Sequence, residues 1–189
     1  MKFGASIWPF QWDPPYEDGI SRIASLGFEA VELIGWNRQI LHEYYTPKKV
    51  KELRTFVEDA GLEISEFVST PEGMASPDKK ERDQAVEHFK RSVDVAVGLG
   101  TGIVNSVSAY PFGLEFPRIT DRPHLQQWMV DVPSGLDWKK NWEDYVDVTR
   151  RCALICQDAD LRYALEPHPY RHMSNTASML RLMEHVGSD

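Results

Sequence analysis

A chain of 189 residues, 42% hydrophobic and 26% charged, has the size and make-up of one soluble globular domain able to bury a real core. The formal net charge is −8, with no block of consecutive lysines or arginines, which speaks against nucleic acid, since a phosphate-backbone binder carries a basic stripe. No run of about 18 apolar residues predicts a membrane span, and the start of the chain does not read as a signal peptide; a cytoplasmic location is expected.

Short β-like runs alternate with stretches of helical spacing. Phe3–Trp8 (FGASIW) reads as a first strand, followed by P-F-Q-W-D-P-P and a helix over Tyr16–Leu26 that Gly27 ends. Phe28–Ile34 (FEAVELI) is the second strand, and its loop G-W-N-R-Q-I-L-H-E-Y-Y-T runs to a helix over Pro47–Ala60. Thr46 is that helix's natural N-cap and Pro47 its first residue. Leu62–Val68 is the third strand; Ser76-Pro77 opens a helix over Asp78–Leu99, closed by Gly98-Leu99-Gly100. Gly102–Ser108 is the fourth strand. A long loop from Ala109 to about Asp137 follows, with Tyr110, Phe112, Phe116, Trp128 and Trp138 in or beside it. A helix over Lys140–Asp158 carries Cys152 and Cys156 on one face, where they read as small core residues. Leu161–Glu166 is the fifth strand, and Ser174 opens a last helix to Val186.

Five β-α units in a row predict a parallel sheet with right-handed crossovers, either doubly wound or part of a (β/α)₈ barrel. Turns from helix to strand are short and plain, whereas loops from strand to helix are long and aromatic. That asymmetry places a functional face at the carboxyl ends of the strands in either architecture. No glycine-rich phosphate fingerprint follows any strand. A barrel typically takes about 250 residues. Five of its eight units are legible here, as one domain over residues 1–189 with an insertion at about 109–137. A parallel sheet of five strands has raw edges, so an association partner is expected.

The chemistry gathers at the fifth strand, R-Y-A-L-E-P-H-P. Alternation puts Ala164, Glu166 and His168 on one face at the strand's tip, with Pro167 and Pro169 stiffening the exit. A fixed carboxylate beside an imidazole fits a metal ligand with an acid/base group, and equally an ion pair that only ends the strand. His172, before the last helix, and His185, in its last turn, read mainly as structural, His185 as a complement to the helix dipole.

Three stretches, F-E-A-V-E-L at Phe28–Leu33, G-L-E-I-S at Gly61–Ser65 and above all A-L-E-P-H at Ala164–His168, resemble the sugar-phosphate isomerase/epimerase superfamily, with its xylose-isomerase-like TIM barrel. The resemblance implies a (β/α)₈ fold and makes Glu166 a ligand of a divalent cation, Mn²⁺ first, with Mg²⁺, Co²⁺ or Zn²⁺ as alternatives. The other ligands of the family, an aspartate, a histidine and a second glutamate, come from strands six to eight. It also implies an enzyme acting on a sugar or keto-sugar by proton abstraction next to a carbonyl. Isomerisation, epimerisation, dehydration and β-elimination all share that step. A histidine two residues beyond the glutamate, as His168 is here, resembles the α-subunits of C-glycoside deglycosidases, where it transfers protons and where a small β-subunit is the partner. A homo-oligomer or such a hetero-complex is the expected assembly. Trp8, Trp36, Tyr110 and His172 are candidate contacts to a carbohydrate or glycoside. Glu32 resembles an often acidic position, suited to a substrate hydroxyl or to bracing the barrel mouth. The apurinic-endonuclease branch of the fold needs histidines at other strand tips, which Glu32-Leu33-Ile34-Gly35 and Phe67-Val68-Ser69-Thr70 lack. A metal-free scaffold or regulatory subunit of the same fold is the non-enzymatic alternative.

Overall fold

The structure, a computed structural model, describes residues 1–114 and 134–187. It contains five parallel strands in the order of the sequence: β1 Gly4–Ser6, β2 Ala30–Ile34, β3 Glu63–Val68, β4 Ile103–Val107 and β5 Arg162–Glu166. Helices α1 Glu17–Ser25, α2 Pro47–Asp59, α3 Lys79–Leu99, α4 Trp138–Asp158 and α5 Thr176–Val186 follow them in turn. A π-type turn, Ile40–Tyr44, leads into α2, and a 3₁₀ turn, Pro111–Gly113, follows β4.

Local chemistry explains the helix ends. Thr46 caps α2 by accepting from Lys49 N–H, with Pro47 at the first position. Gly100 ends α3 in the left-handed conformation, at φ 78°, which glycine adopts without a Cβ penalty. Two caps differ from expectation by one or two residues. Asp78 rather than Ser76 caps α3, and Ser76 instead accepts from Asp78 N–H while donating to Glu81. Asn175 rather than Ser174 caps α5, in a reciprocal pair with Ser178. Trp138, placed by sequence in or beside the long loop, is the first residue of α4, capped by Asp137. Phe116 and Trp128 lie outside the described residues.

The apolar core lies between the sheet and the helices. Val31, Leu33, Phe67 and Val104 point outward from β2, β3 and β4 against Leu53, Val57, Phe89 and Val93 of α2 and α3. Cys152 and Cys156 are free, fully buried thiols in this layer, and burial raises both pKa values, that of Cys156 to about 12. Tyr163 of β5 points the same way and packs edge-on against Phe89, with ring centroids 4.9 Å apart.

The other, concave face of the sheet is polar. The register aligns Ser6 with Glu32, Glu32 with Glu66, and Asn105 with both Val68 and Ala164. A bulge between Val31 and Glu32 sets part of this pattern, because Ile64 pairs with Val31 yet Glu66 pairs with Glu32, leaving Ser65 as the extra residue. Strict alternation from Ile64 would have sent Glu66 outward into the core and Phe67 inward.

Candidate active site

All five strand-to-helix loops converge on one cavity of about 820 Å³ at the carboxyl edge of the sheet. Trp12 comes from the first loop, Trp36 and Arg38 from the second, Thr70–Ala75 from the third, Tyr110 from the fourth and Arg171 from the fifth. Trp12 stacks on Trp36 with centroids 4.8 Å apart and planes 15° off parallel, and Trp8 meets Trp12 edge-on at 6.3 Å. On the fourth and fifth loops the Arg171 guanidinium lies 4.0 Å from the centre of the Tyr110 ring. The cavity has aromatic walls and two cationic side chains, a make-up suited to a flat polar ligand.

Glu166 is the last residue of β5, pairs with Val107 and is exposed on the concave side. The strand stops there, so the alternation meant to place His168 above Glu166 ends before it. His168 belongs instead to a closed turn. Its backbone N–H donates to Met173 O at 2.8 Å, and its Nδ1 lies 3.3 Å from Pro169 O. No hydrogen bond or ion pair joins Glu166 to His168, which removes the reading of a strand-ending ion pair. Four bonds fasten this turn to the residues just after β4, Ser108 N–H to Glu166 O, His172 N–H to Ala109 O, Met173 N–H to Ser108 Oγ and Arg171 Nη1–H to Ser108 O, while His168 N–H to Met173 O closes the turn itself. The glutamate, the imidazole and Tyr110 therefore sit on one braced unit.

His172 is held inside the protein. Its ring stacks on Tyr145 at 4.7 Å and 12°, and Nε2 lies 2.9 Å from Asn141 Oδ1. Desolvation lowers its pKa to about 4. A neutral ring donating from Nε2 suits that bond, and Asn141 extends the brace by accepting from Phe112 N–H and donating to Ala75 O. His185 ties α5 to α4 by accepting from Trp142 Nε1–H at 2.9 Å.

Glu32 is half-buried on the concave face, accepts from Ser6 Oγ and pairs in register with Glu66 of β3. Its pKa is raised to about 7, chiefly by desolvation and further by the Glu66 and Glu166 charges, against the lowering effect of Ser6. Sequence reading missed Glu66, Asn105, Trp12 and Arg171. Trp12 and Arg171 were visible as loop residues near a strand tip. Glu66 depends on the bulge, which no residue type announces.

A divalent cation takes oxygen ligands on an exposed concave surface, and Glu166 offers one. Among the described residues no group of three or more His, Cys, Asp or Glu side chains is placed to complete such a site.

The parallel sheet, with its loops gathered at the carboxyl edge, defines a (β/α)-barrel type of fold, and residues 20–189 match the xylose isomerase-like TIM barrel family. The chain belongs to that family. It is 23% identical over 174 residues to D-psicose 3-epimerase of Ruminiclostridium cellulolyticum, covering 88% of this chain and 51% of that protein. It thus spans about half the length of that curated relative. Its fold is similar to that of 3-keto-D-glucoside 4-epimerase from E. coli, at a TM-score of 0.72 and 13% identity, covering 100% of this chain and 65% of that one. It is similar too to a xylose isomerase-like TIM barrel protein from Mycobacterium smegmatis in complex with magnesium, at 0.74 and 16%, covering 100% and 62%. No helix among the described residues is long and apolar enough to cross a membrane.

Proposed function

We propose that this chain belongs to a divalent-metal-dependent enzyme acting on a sugar or keto-sugar by proton transfer next to a carbonyl, of isomerase, epimerase or C-glycoside-cleaving lyase type. The observation that carries the reading is the convergence of five loops on an aromatic cavity beside Glu166, at the edge where barrels of this family place their chemistry. The similarity to D-psicose 3-epimerase and 3-keto-D-glucoside 4-epimerase supports a carbohydrate substrate. The magnesium complex of the M. smegmatis protein supports a divalent cation.

Glu166 is the ligand this chain contributes. A bound cation supplies polarisation of a carbonyl and its neighbouring hydroxyl. His168 moves the proton: with Nδ1–H directed at Pro169 O, Nε2 is left as the accepting atom. Trp8, Trp36 and Tyr110 are the aromatic contacts to the sugar, and Glu32 takes a hydroxyl. Because Tyr110 and His168 belong to the same braced pair of loops, ring and base hold a fixed spacing.

The test combines metal retention with solvent exchange. Mn²⁺ binding is measured by calorimetry on the wild-type chain and on Glu166→Gln, and ketohexoses are incubated with the Mn²⁺-loaded chain in D₂O. Deuterium entering the position next to the carbonyl, lost in both Glu166→Gln and His168→Gln, is the expected result. Mn²⁺ affinity unchanged in Glu166→Gln refutes the ligand assignment, and exchange persisting in His168→Gln refutes the base.

A further inference from the structure

Arg171 is the cavity side chain to which proton transfer gives no task. It lines the cavity from the fifth loop and is half-buried, and an arginine keeps its charge at every ordinary pH. Its head is fixed in place. Nη1 donates to Ser108 O at 2.7 Å, and the guanidinium lies over the Tyr110 ring. A carbonyl and a phenol ring hold the group without balancing its charge. Among the described residues no carboxylate forms an ion pair with it, and Nε, shielded from water, has no hydrogen-bond partner. The backbone is held as well. Arg171 N–H donates to His168 O at 3.3 Å, and Tyr170 before it stands at φ 65°, a left-handed conformation that a bulky side chain seldom adopts. Such backbone persists only where its surroundings over-determine it, and it gathers at ligand clamps.

A half-buried charge with only neutral partners is costly, and an anion supplied from outside removes that cost. Desolvation lowers the Arg171 pKa, against the influence of Tyr110, Tyr145 and, weakest, Glu166. Glu166 is the one carboxylate among these, and it is already assigned to the cation. The other charged side chains lining the cavity, Arg38, Glu72 and Glu81, are exposed, where water compensates them. We propose that Arg171 reads a carboxylate on the substrate, so that the cavity selects acidic sugars over neutral ones. The inference rests on the sugar reading and names the substrate class within it. With Nη1 engaged by Ser108, the Nε–Nη2 edge of the fork is the one left to a ligand, and a planar carboxylate matches it in shape and charge. A phosphate ester carries about −1.5 to −2 charges and takes more donors than one such edge offers. No glycine-rich phosphate loop follows any strand to supply them.

The experiment compares three sugars that differ at one carbon: D-fructose, D-fructuronate and D-fructose 6-phosphate. Each is titrated into the wild-type chain, with EDTA and again with Mg²⁺, while NMR follows the Trp36 indole and the Arg171 Nε–H. D-fructuronate is expected to bind at least about tenfold more tightly than D-fructose, the worth of one charge-assisted hydrogen bond, and to move the Arg171 signal. It is also expected to bind ahead of the phosphate ester. Arg171→Gln is expected to abolish the preference. Arg171→Lys, which keeps the charge and loses the fork, is expected to reduce it while leaving the affinity for D-fructose unchanged, so the lysine variant decides should the glutamine variant not fold. A preference as large in Arg171→Lys as in wild type overturns the assignment. So does a preference that needs Mg²⁺ and survives Arg171→Gln, since the carboxylate then sits on the cation. Tighter binding of the phosphate ester overturns the carboxylate. D-fructose and D-fructuronate shifting Trp36 with equal affinity overturn the inference and leave the sugar reading standing. If none of the three shifts Trp36, the sugar reading falls and the inference with it.

Discussion

A carboxyl group that keeps its proton up to pH 7 weakens the fold as the pH rises. Glu32 titrates at 4.5 when solvated and at about 7 in the folded chain, so across that window the folded state holds more protons than the unfolded state. Its contribution to stability is full below 4.5 and falls as the pH passes through 7. An unscreened shift of that size would be worth roughly 3 kcal/mol; partial exposure reduces it to the order of 1 kcal/mol. His88 and His172 have the opposite slope. Burial depresses both to about 4 from 6.5, so the stability they carry is present above 6.5 and lost as the pH falls towards 4. Urea denaturation of wild type and Glu32→Gln at about pH 5 and about pH 7.5 separates the two effects. The variant is expected to gain stability relative to wild type only at the higher pH. An equal difference at both values would mean that Glu32 carries no proton in the folded chain.

At the scale of elements, the sequence carried much more of the scaffold than of the site. Helix and strand order followed from periodicity, and Thr46-Pro47 and the glycines at 27, 61 and 100 punctuated it correctly, because those residue types act on the backbone within a turn of where they sit. Ser76 and Ser174 misled by one or two residues, since an aspartate and an asparagine beside them were competent caps too. The position of Glu66 depended on a pairing irregularity between two strands, and that of His168 on where β5 stops; neither is written in local pattern. The role of His172 also depended on contacts 31 residues away in sequence. Replacing it with alanine removes its bond to Asn141 and its stacking on Tyr145, and is expected to cost about 1–3 kcal/mol and to speed amide exchange over residues 168–173. Unchanged stability accompanied by lost sugar binding would instead place this imidazole in contact with substrate.

For the whole molecule, the sheet divides two kinds of work. Its outer face and the helices hold the apolar core, in which Leu33, Phe67 and Phe89 are fully buried. Its concave face carries Glu32, Glu66, Asn105 and Glu166. Stability should therefore follow the outer layer and ligand chemistry the inner one. Leu33→Ala is expected to cost about 2–5 kcal/mol and Phe89→Ala about 3–5 kcal/mol, from lost burial and the cavity left behind. Glu66→Gln and Asn105→Ala on the opposite side are expected to stay within about 1 kcal/mol, since each removes a half-satisfied polar group rather than packed volume. Urea midpoints for the four variants, with the slope of unfolding unchanged, measure the division directly. Concave-face losses as large as those of the core would show that the polar wall is an ordinary structural layer of a barrel interior. Small losses there would mark it as a surface kept polar at a tolerable cost to the fold.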